Sequence, residues 1–440
     1  MIYNHVTELI GNTPLLKIDP QVHGLKNFEI YAKLEYYNPF GSLKDRVAWN
    51  MLEPVLTNSI DNNKTIIESS SGNTGKALAV LAKVYGLDFK TISNRIKVPE
   101  IRMMLQFLGA EVEELPGLSD CPYPNDPNDP VTIVRTLTNQ HPNKYEFTDQ
   151  YFSDLNWQAH YKAGIELSKD FDKIDYFFGV LGTCGSTYGV VKALTDLNYS
   201  VKAIGVVADP ASWVPGGRNM NELWETSFFK KDFYTNIVNG DIQHAIAGMQ
   251  TLNQKCGILA GPTSGLNYAC MIDYLKTIDE SQTETQTAVF IACDRVESYM
   301  NYTKKYTPEL FQAATSCKPS VNSITVEQLE LSRTISPQEL NLKLADSTES
   351  TIIDIRGNFA YSIGHIKGSI NILDELFSQI IEQGKALPQN KEIIVVCSIG
   401  KISSKYAAFL SSQGYTAYSL EGGFNNYKKL GFELQKILPK

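Results

Sequence analysis

The stretch EIYAKLEYYNPFGSLKDRVAW, Glu29 to Trp49, decides how the rest of the chain is read. Residues Glu29–Glu35 alternate as a strand does. Asn38-Pro39-Phe40-Gly41 then forces a turn, because proline presets φ and glycine admits conformations closed to other residues. Beyond it Val47, Met51, Leu52 and Val55 recur at helical spacing. Lys44 therefore stands where a loop becomes a helix. The positive end of the helix dipole disfavours an ammonium there, and a lysine that gives up its proton can condense with a carbonyl cofactor. Taken alone, a lysine in a charged first turn also reads as a solvated surface group, so the assignment depends on what accompanies it.

Three further segments accompany it in order: Ile10-Gly11-Asn12-Thr13-Pro14-Leu15, Ser70-Ser71-Gly72-Asn73-Thr74-Gly75 and Gly182-Thr183-Cys184-Gly185-Ser186. With Glu29–Trp49, these resemble the motifs of the fold-type II enzymes that use pyridoxal 5'-phosphate, the cysteine synthase and cystathionine β-synthase family. The resemblance covers residues 1–307. It implies an α/β fold of two doubly wound subdomains and, by family habit, a homodimer.

At 440 residues the chain has room for two or three domains, and 43% hydrophobic with 20% charged residues is ordinary for globular protein. A net charge of −8 argues against a general nucleic-acid or anionic-membrane binder. No stretch reaches the ~20 apolar residues that span a bilayer. MIYNHVTEL lacks a basic segment followed by an apolar run, so a cytoplasmic protein is expected. Seven scattered cysteines show no metal-ligand spacing and suit a reducing compartment.

From Glu29 to about Cys293 short apolar strands (Thr65–Ser69, Tyr176–Leu181, Lys202–Val207, Ala288–Cys293) alternate with helical patterns (Gly75–Tyr85, Glu100–Leu108, Trp157–Phe171, Gly185–Leu197, Gly265–Lys276), the mark of a parallel sheet wrapped by helices. Gly117–Pro130 reads as a surface loop. Residues 308–332 lose periodicity and read as a linker. Residues 333–440 form a second, smaller α/β unit, opened by a capping box at Ser336 and Glu339. Asp354-Ile355-Arg356, Gly364-His365-Ile366, Cys397 at a strand end and Gly422-Gly423 make this unit resemble the rhodanese family.

Pyridoxal phosphate needs an amine for its aldehyde, an anion cradle, and partners for its ring oxygen and nitrogen. Lys44 is the amine. Gly182–Ser186 follows an apolar strand and starts a helix, where glycines and free N–H groups surround an oxyanion. Thr183 and Ser186 add hydroxyls, and Cys184 stands where the family has glycine. The resemblance puts the Asn73 amide at the ring oxygen and Thr263 at the ring nitrogen. It puts Ser70, Ser71, Gly72, Thr74 and Gln150 on the substrate carboxylate. A hydroxyl at the ring nitrogen makes a weaker electron sink than a carboxylate would, which suits β-elimination. In that scheme Lys44, once displaced, acts as the general base. Tyr151 and Ser186 resemble siderophore-pathway synthases that take O-phosphoserine, and Arg135 stands near their phosphate-binding position. It also reads as a solvated helix charge.

In the second unit Cys397 opens Cys397-Ser398-Ile399-Gly400-Lys401-Ile402. Successive N–H groups lower a thiol pKa, and such a thiolate can attack a sulfane sulfur. Six residues match the loop length of sulfur-transferring rhodaneses, with Ile402 where the family often has Arg and Lys401 beside it. Arg356 and His365 read as structural, and Tyr427 as packing. The expected protein is a β-replacement enzyme making cysteine from an O-activated serine, with sulfur carried from a donor by Cys397. The alternatives are a diaminopropionate-precursor synthase, a cysteine-degrading producer of sulfide or persulfide, and a scaffold without catalysis. No metal site is expected.

Overall fold

The computed structural model describes residues 2–94, 96–116, 126–311, 320–330, 332–345, 350–383, 387–388 and 390–437. Most of the loop expected at Gly117–Pro130 lies outside them, as do Cys121 and Cys317. The chain divides into two compact units, Met1–Gln312 and Ala313–Lys440. No helix among the described residues is long and apolar enough to cross a membrane.

The first unit carries strands β1 (Leu15–Lys17), β2 (Phe28–Leu34), β3 (Thr65–Glu68), β4 (Phe89–Asn94), β5 (Glu111–Leu115), β6 (Tyr145–Phe147), β7 (Tyr176–Val180), β8 (Lys202–Ala208), β9 (Asn236–Gly240) and β10 (Gln286–Ala292). They form a six-stranded sheet, β1-β2-β10-β7-β8-β9, and a four-stranded sheet, β5-β4-β3-β6. Only the β1–β2 pair among these is antiparallel. β7 is buried at every residue, as a central strand covered on both faces must be. Phe177 faces one apolar layer, with Leu167 and Val190. Phe178 faces the other, with Leu266 and Met271.

Parallel strands deliver their following loops to one edge, where ligands of open α/β sheets bind. Lys44 follows β2, Ser70 follows β3, Thr183 follows β7 and Asp294 follows β10. The register of β10 on β2, from Gln286↔Phe28 to Ala292↔Leu34, brings the last of these loops beside the first, and a separate antiparallel bridge Ser42↔Asp294 ties them together.

The second unit carries β11 (Arg333–Ile335), β12 (Ser350–Asp354), β13 (His365–Ile366), β14 (Ile370–Asn371), β15 (Glu392–Val396), β16 (Ala417–Leu420) and β17 (Leu434–Gln435). Five of them make a parallel sheet, β11-β16-β15-β12-β14. The Ser336–Glu339 capping box forms as expected: Glu339 N–H donates to Ser336 Oγ at 3.2 Å, and Ser336 N–H to Glu339 Oε2 at 3.0 Å. The stretch expected as linker is partly domain. Val321 is buried in this unit's core beside Phe377 and Ile393, and Glu382 accepts its N–H, because an apolar residue next to a capping Ser320 finds a partner surface there.

Candidate active site

The Lys-Asp-Arg triplet shows how the sequence holds one lysine still. Lys44 opens the helix Lys44–Leu52. Asp45 Oδ2 accepts the Phe40 N–H at 2.6 Å and Oδ1 accepts the Ser42 hydroxyl at 3.1 Å, so the carboxyl closes the Pro-Phe-Gly turn. Its burial pushes the Asp45 carboxyl up to about 7. Arg46 donates to Glu35 Oε2 at 2.7 Å and forks onto Glu166 with two bonds of 2.7 Å; Lys33 meets Glu166 at 2.8 Å. Burial raises the Glu166 carboxyl, but Arg46 and Lys33 outweigh it and hold the group at about 2. Removing one partner of such a buried network typically costs about 3–5 kcal/mol. The helix start is thus clamped on both sides of Lys44.

Lys44 lines a cavity of about 320 Å3. Its side chain lies deep among protein atoms yet stays partly accessible through that cavity. Burial leads in lowering its pKa; Cys293, Cys184 and Asp294 push it back up and Arg218 pushes it down. The lowered pKa agrees with the sequence reading. Its leading cause is desolvation rather than the helix end.

Ser70, Ser71, Gly72, Asn73 and Thr74 form one wall. Ser70 Oγ accepts the Gly75 N–H at 3.0 Å, tying the turn to the helix Asn73–Val84. Gln150 is buried between two loops: its Oε1 accepts from Thr74 Oγ1 at 2.7 Å and its Nε2 donates to the Ser69 carbonyl at 2.9 Å. The opposite wall holds Gly182, Thr183 and Ser186. A Cβ on Gly182 would lie 2.5 Å from the Gly216 carbonyl oxygen, and one on Gly185 2.1 Å from Asn156 Oδ1, so only glycine fits at either place. Thr263 also lines the cavity, and its hydroxyl donates to the Pro215 carbonyl.

Three expected residues stand apart from the cavity wall. Gly185 lies behind the cradle as the first residue of its helix. Cys184 turns into the apolar cluster with Leu43 and Leu181, and burial pushes its thiol up to about 12. Arg135 is exposed on the helix Pro130–Gln140, pairs with Asp149 at 3.1 Å and covers the Phe152 ring at 4.8 Å, so the phosphate contact expected of it has no support in this geometry. Conversely, Arg218, Asp294 and Tyr299 line the cavity without having been expected. Asp294 follows directly on an expected strand, a placement that could have marked it. Arg218 ends Gly216-Gly217-Arg218, a glycine-rich loop after another.

These groups match what pyridoxal phosphate requires: an amine, a backbone cradle that excludes side chains, two hydroxyls, and an amide. Asn73 Oδ1 and Asp294 Oδ1 are buried without a hydrogen-bond partner, as polar atoms that complete their bonding with a ligand are. When bound, the cofactor supplies an electron sink for charge developing at the α-carbon. Lys44 and the helix start at Asn73 face the same cavity.

In the second unit Cys397 Sγ accepts N–H groups of Gly400 at 3.1 Å and Ser403 at 3.4 Å, with Ser403 Oγ at 3.3 Å. Burial pushes the thiol up, but the Ser403 hydroxyl and the backbone of Ser403, Ile399 and Ile402 outweigh it, and the pKa falls below the usual value. A Cβ on Gly423 would lie 2.5 Å from the Cys397 carbonyl oxygen and 2.6 Å from the Gly400 nitrogen, so Gly423 lets the loop close. Arg356 pairs with Asp354 and lies over Phe424, while His365 stacks on Tyr361. Tyr427 is buried. Ile402, at the position of the family's Arg, is exposed.

Residues 6–294 match the family of pyridoxal-phosphate dependent enzymes, and residues 336–430 match the rhodanese-like domain. Cysteine synthase of Aquifex aeolicus is 30% identical over 277 residues, 60% of this chain and 82% of that protein. Cystathionine beta-synthase of Apis mellifera is 27% identical over 404 residues, 84% of this chain and 77% of that protein. The solved cysteine synthase of Entamoeba histolytica superposes with a TM-score of 0.60 at 27% identity, covering 70% of this chain and 91% of that one. A hydrogen sulfide-producing enzyme of Fusobacterium nucleatum superposes with a TM-score of 0.58 at 27% identity, covering 68% and 100%. The chain belongs to the pyridoxal-phosphate dependent enzymes, as a cysteine synthase and cystathionine β-synthase-like β-replacement enzyme followed by a rhodanese-like domain.

Proposed function

We propose that the first unit replaces the β-oxygen substituent of an O-activated serine by sulfur, giving cysteine, and that Cys397 carries that sulfur as a persulfide. The observation behind the first half is the single cavity that joins Lys44, the Ser70–Thr74 turn and the glycine cradle. The amino-acid carboxylate binds the turn and Gln150. Asn73 and Thr263 hold the ring oxygen and nitrogen ends. Lys44 takes the α-proton and returns a proton to the product. The observation behind the second half is the ring of N–H donors on Cys397 Sγ. The thiolate attacks the outer sulfur of thiosulfate, the S–S bond breaks, sulfite leaves with the electron pair, and a thiol reductant later frees the carried sulfur as sulfide.

Product mass from O-acetylserine and O-phosphoserine, each with sulfide, tests the first half: cysteine must form from at least one. Cys397→Ser tests the second. It should leave the sulfide reaction nearly intact and remove the thiosulfate-driven one. Loss of neither, with no persulfide on Cys397, makes the second unit a docking module. The likeness to a hydrogen sulfide-producing enzyme favours one further reading, release of sulfide from cysteine at the same Lys44. Cysteine supplied alone tests it directly.

A further inference from the structure

Asp294 has no task in the scheme so far, yet it touches three segments that face the cofactor. Its backbone bridges Ser42, two residues before Lys44. Its carbonyl accepts the Gly261 N–H at 2.9 Å, two residues before Thr263. Its side chain reaches the third segment: Oδ2 accepts from Asn73 Nδ2 at 2.7 Å and from the Tyr299 hydroxyl. Asn73 Nδ2 also lies 3.1 Å from that hydroxyl oxygen. There is no slack here, since a Cβ on Gly261 would sit 2.6 Å from Asp294 Oδ1 and 2.8 Å from the Tyr299 ring.

A carboxylate accepts hydrogen bonds and cannot donate them, so it dictates which end of a carboxamide turns toward it. We propose that Asp294 is a positioning residue: it fixes the Asn73 carboxamide with its nitrogen inward, and through Asn73 it sets the state of the cofactor's ring-oxygen end. The proposal rests on the reading of Asn73 as the ring-oxygen partner. Lys44 faces Asp294 from the lysine helix and Lys76 from the helix that Asn73 begins, with Tyr299 and the Cys293 thiol on its own stretch. Burial pushes the Asp294 carboxyl up to about 6, held back by Tyr299, Lys76, Asn73 and Lys44. Its charge, and its strength as an acceptor for Asn73, therefore change in the mildly acidic range.

The test is the absorption spectrum of the cofactor-loaded enzyme, without substrate, from pH 5 to 7.5. The ratio of visible to near-ultraviolet bands should follow a one-proton transition with a midpoint within about a unit of 6. Asp294→Asn should abolish the transition. Tyr299→Phe removes a donor that favours the carboxylate and should move the midpoint upward. A wild-type spectrum without a transition, or an Asp294→Asn variant that keeps the wild-type midpoint, overturns the proposal. If Asp294→Asn does not fold, Tyr299→Phe decides, and an unmoved midpoint overturns it. Asn73→Ala separates the two failures. If it leaves the spectrum at its wild-type position, the assignment of Asn73 falls and the proposal with it. If it shifts the spectrum while Asp294→Asn does not, only the proposal falls.

Discussion

Two turns of this chain are built alike and carry cysteines of opposite character. Residues Gly182–Cys184 join β7 to the helix Gly185–Asp196, and Cys397–Gly400 join β15 to the helix Lys401–Ser412. Each helix is entered through a left-handed residue, Cys184 at φ +65° and Gly400 at φ +85°. Both thiols are hidden from solvent, at 1% and 4% exposure, yet one is pushed up to about 12 and the other falls below the ordinary thiol. Burial raises both. The difference lies in depth, since more protein surrounds Cys184 than Cys397, and in where each sulfur points. Cys184 occupies the left-handed position itself, so its side chain leaves the N–H fan and enters the apolar layer. Cys397 comes three residues earlier, and the loop folds N–H groups over its sulfur. Glu68, the last residue of β3, adds a contrasting case. Glu68 accepts from the Ser69 N–H at 2.9 Å, the Gln150 N–H at 3.3 Å and the Thr148 hydroxyl, and burial still lifts it to about 8. Three donors reach Glu68 and three reach Cys397, so donor number does not separate them: Glu68 lies deeper among protein atoms and also feels the Asp149 charge.

The largest expected effect is in thiol reactivity. At pH 7 a small alkylating agent should modify Cys397 first, and peptide mapping should find Cys184 and Cys293 unmodified while the protein stays folded. Early modification of Cys184 would break the contrast between the turns.

Glu68 should appear in stability. Its folded pKa lies above its ordinary one, so between roughly pH 4.5 and 8 the folded protein holds a proton that the unfolded chain has released. The stabilisation present below the unfolded pKa is lost as pH rises through about 8. Urea midpoints of the wild type should therefore fall across this window, and Glu68→Gln should flatten that part of the slope. An unchanged slope in the variant would mean that Glu68 ionises normally.

How far the sequence foretold these turns depends on which force decides them. The strand end and helix start around 181–185 and the strand end before Cys397 were legible, because buried β-branched and aromatic runs followed by glycine leave little choice. Lys44 and the glycine cradle were singled out by local spacing and Asn73 by resemblance, and they line one cavity. What stayed hidden depended on contacts between segments distant in the chain. Asp294 meets Asn73 across 221 positions, and Arg46 meets Glu166 across 120. The surroundings of Arg135 were hidden for the same reason: helical periodicity leaves open which neighbour, here Asp149, a surface arginine turns to. Residues 308–332 read as linker because Val321 and Ile324 find their apolar partners, among them Phe377 and Ile393, only far along the chain.

A smaller effect concerns the left-handed positions. An L-residue forced left-handed costs roughly 1–2 kcal/mol. Gly400→Ala should lose about that much, since its Cβ would also lie 3.3 Å from the Gly422 nitrogen and the Leu420 carbonyl oxygen. Cys184→Gly relieves a strain of the same size but gives up a buried thiol worth about 1–2 kcal/mol. It should leave stability within about 1 kcal/mol of wild type by urea unfolding. A loss beyond that range would mean the Cys184 side chain contributes more than the strain it imposes.

The smallest expected shift is at Ser403. Its hydroxyl lies 3.3 Å from Cys397 Sγ, but also 2.7 Å from Ser419 Oγ and 3.2 Å from the Gly400 carbonyl oxygen. One hydroxyl carries one hydrogen, so the sulfur receives only a share of it. The backbone N–H of Ser403 and that of Gly400 remain when the hydroxyl is removed. Ser403→Ala should therefore raise the midpoint of the alkylation rate against pH while keeping Cys397 the most reactive of the thiols among the described residues. Gly400→Ala distorts the loop that aims a whole N–H and should raise that midpoint further. If Ser403→Ala exceeds Gly400→Ala, the hydroxyl and not the backbone fan makes this thiol acidic, and the contrast with Cys184 would then rest on one side chain instead of on the turn.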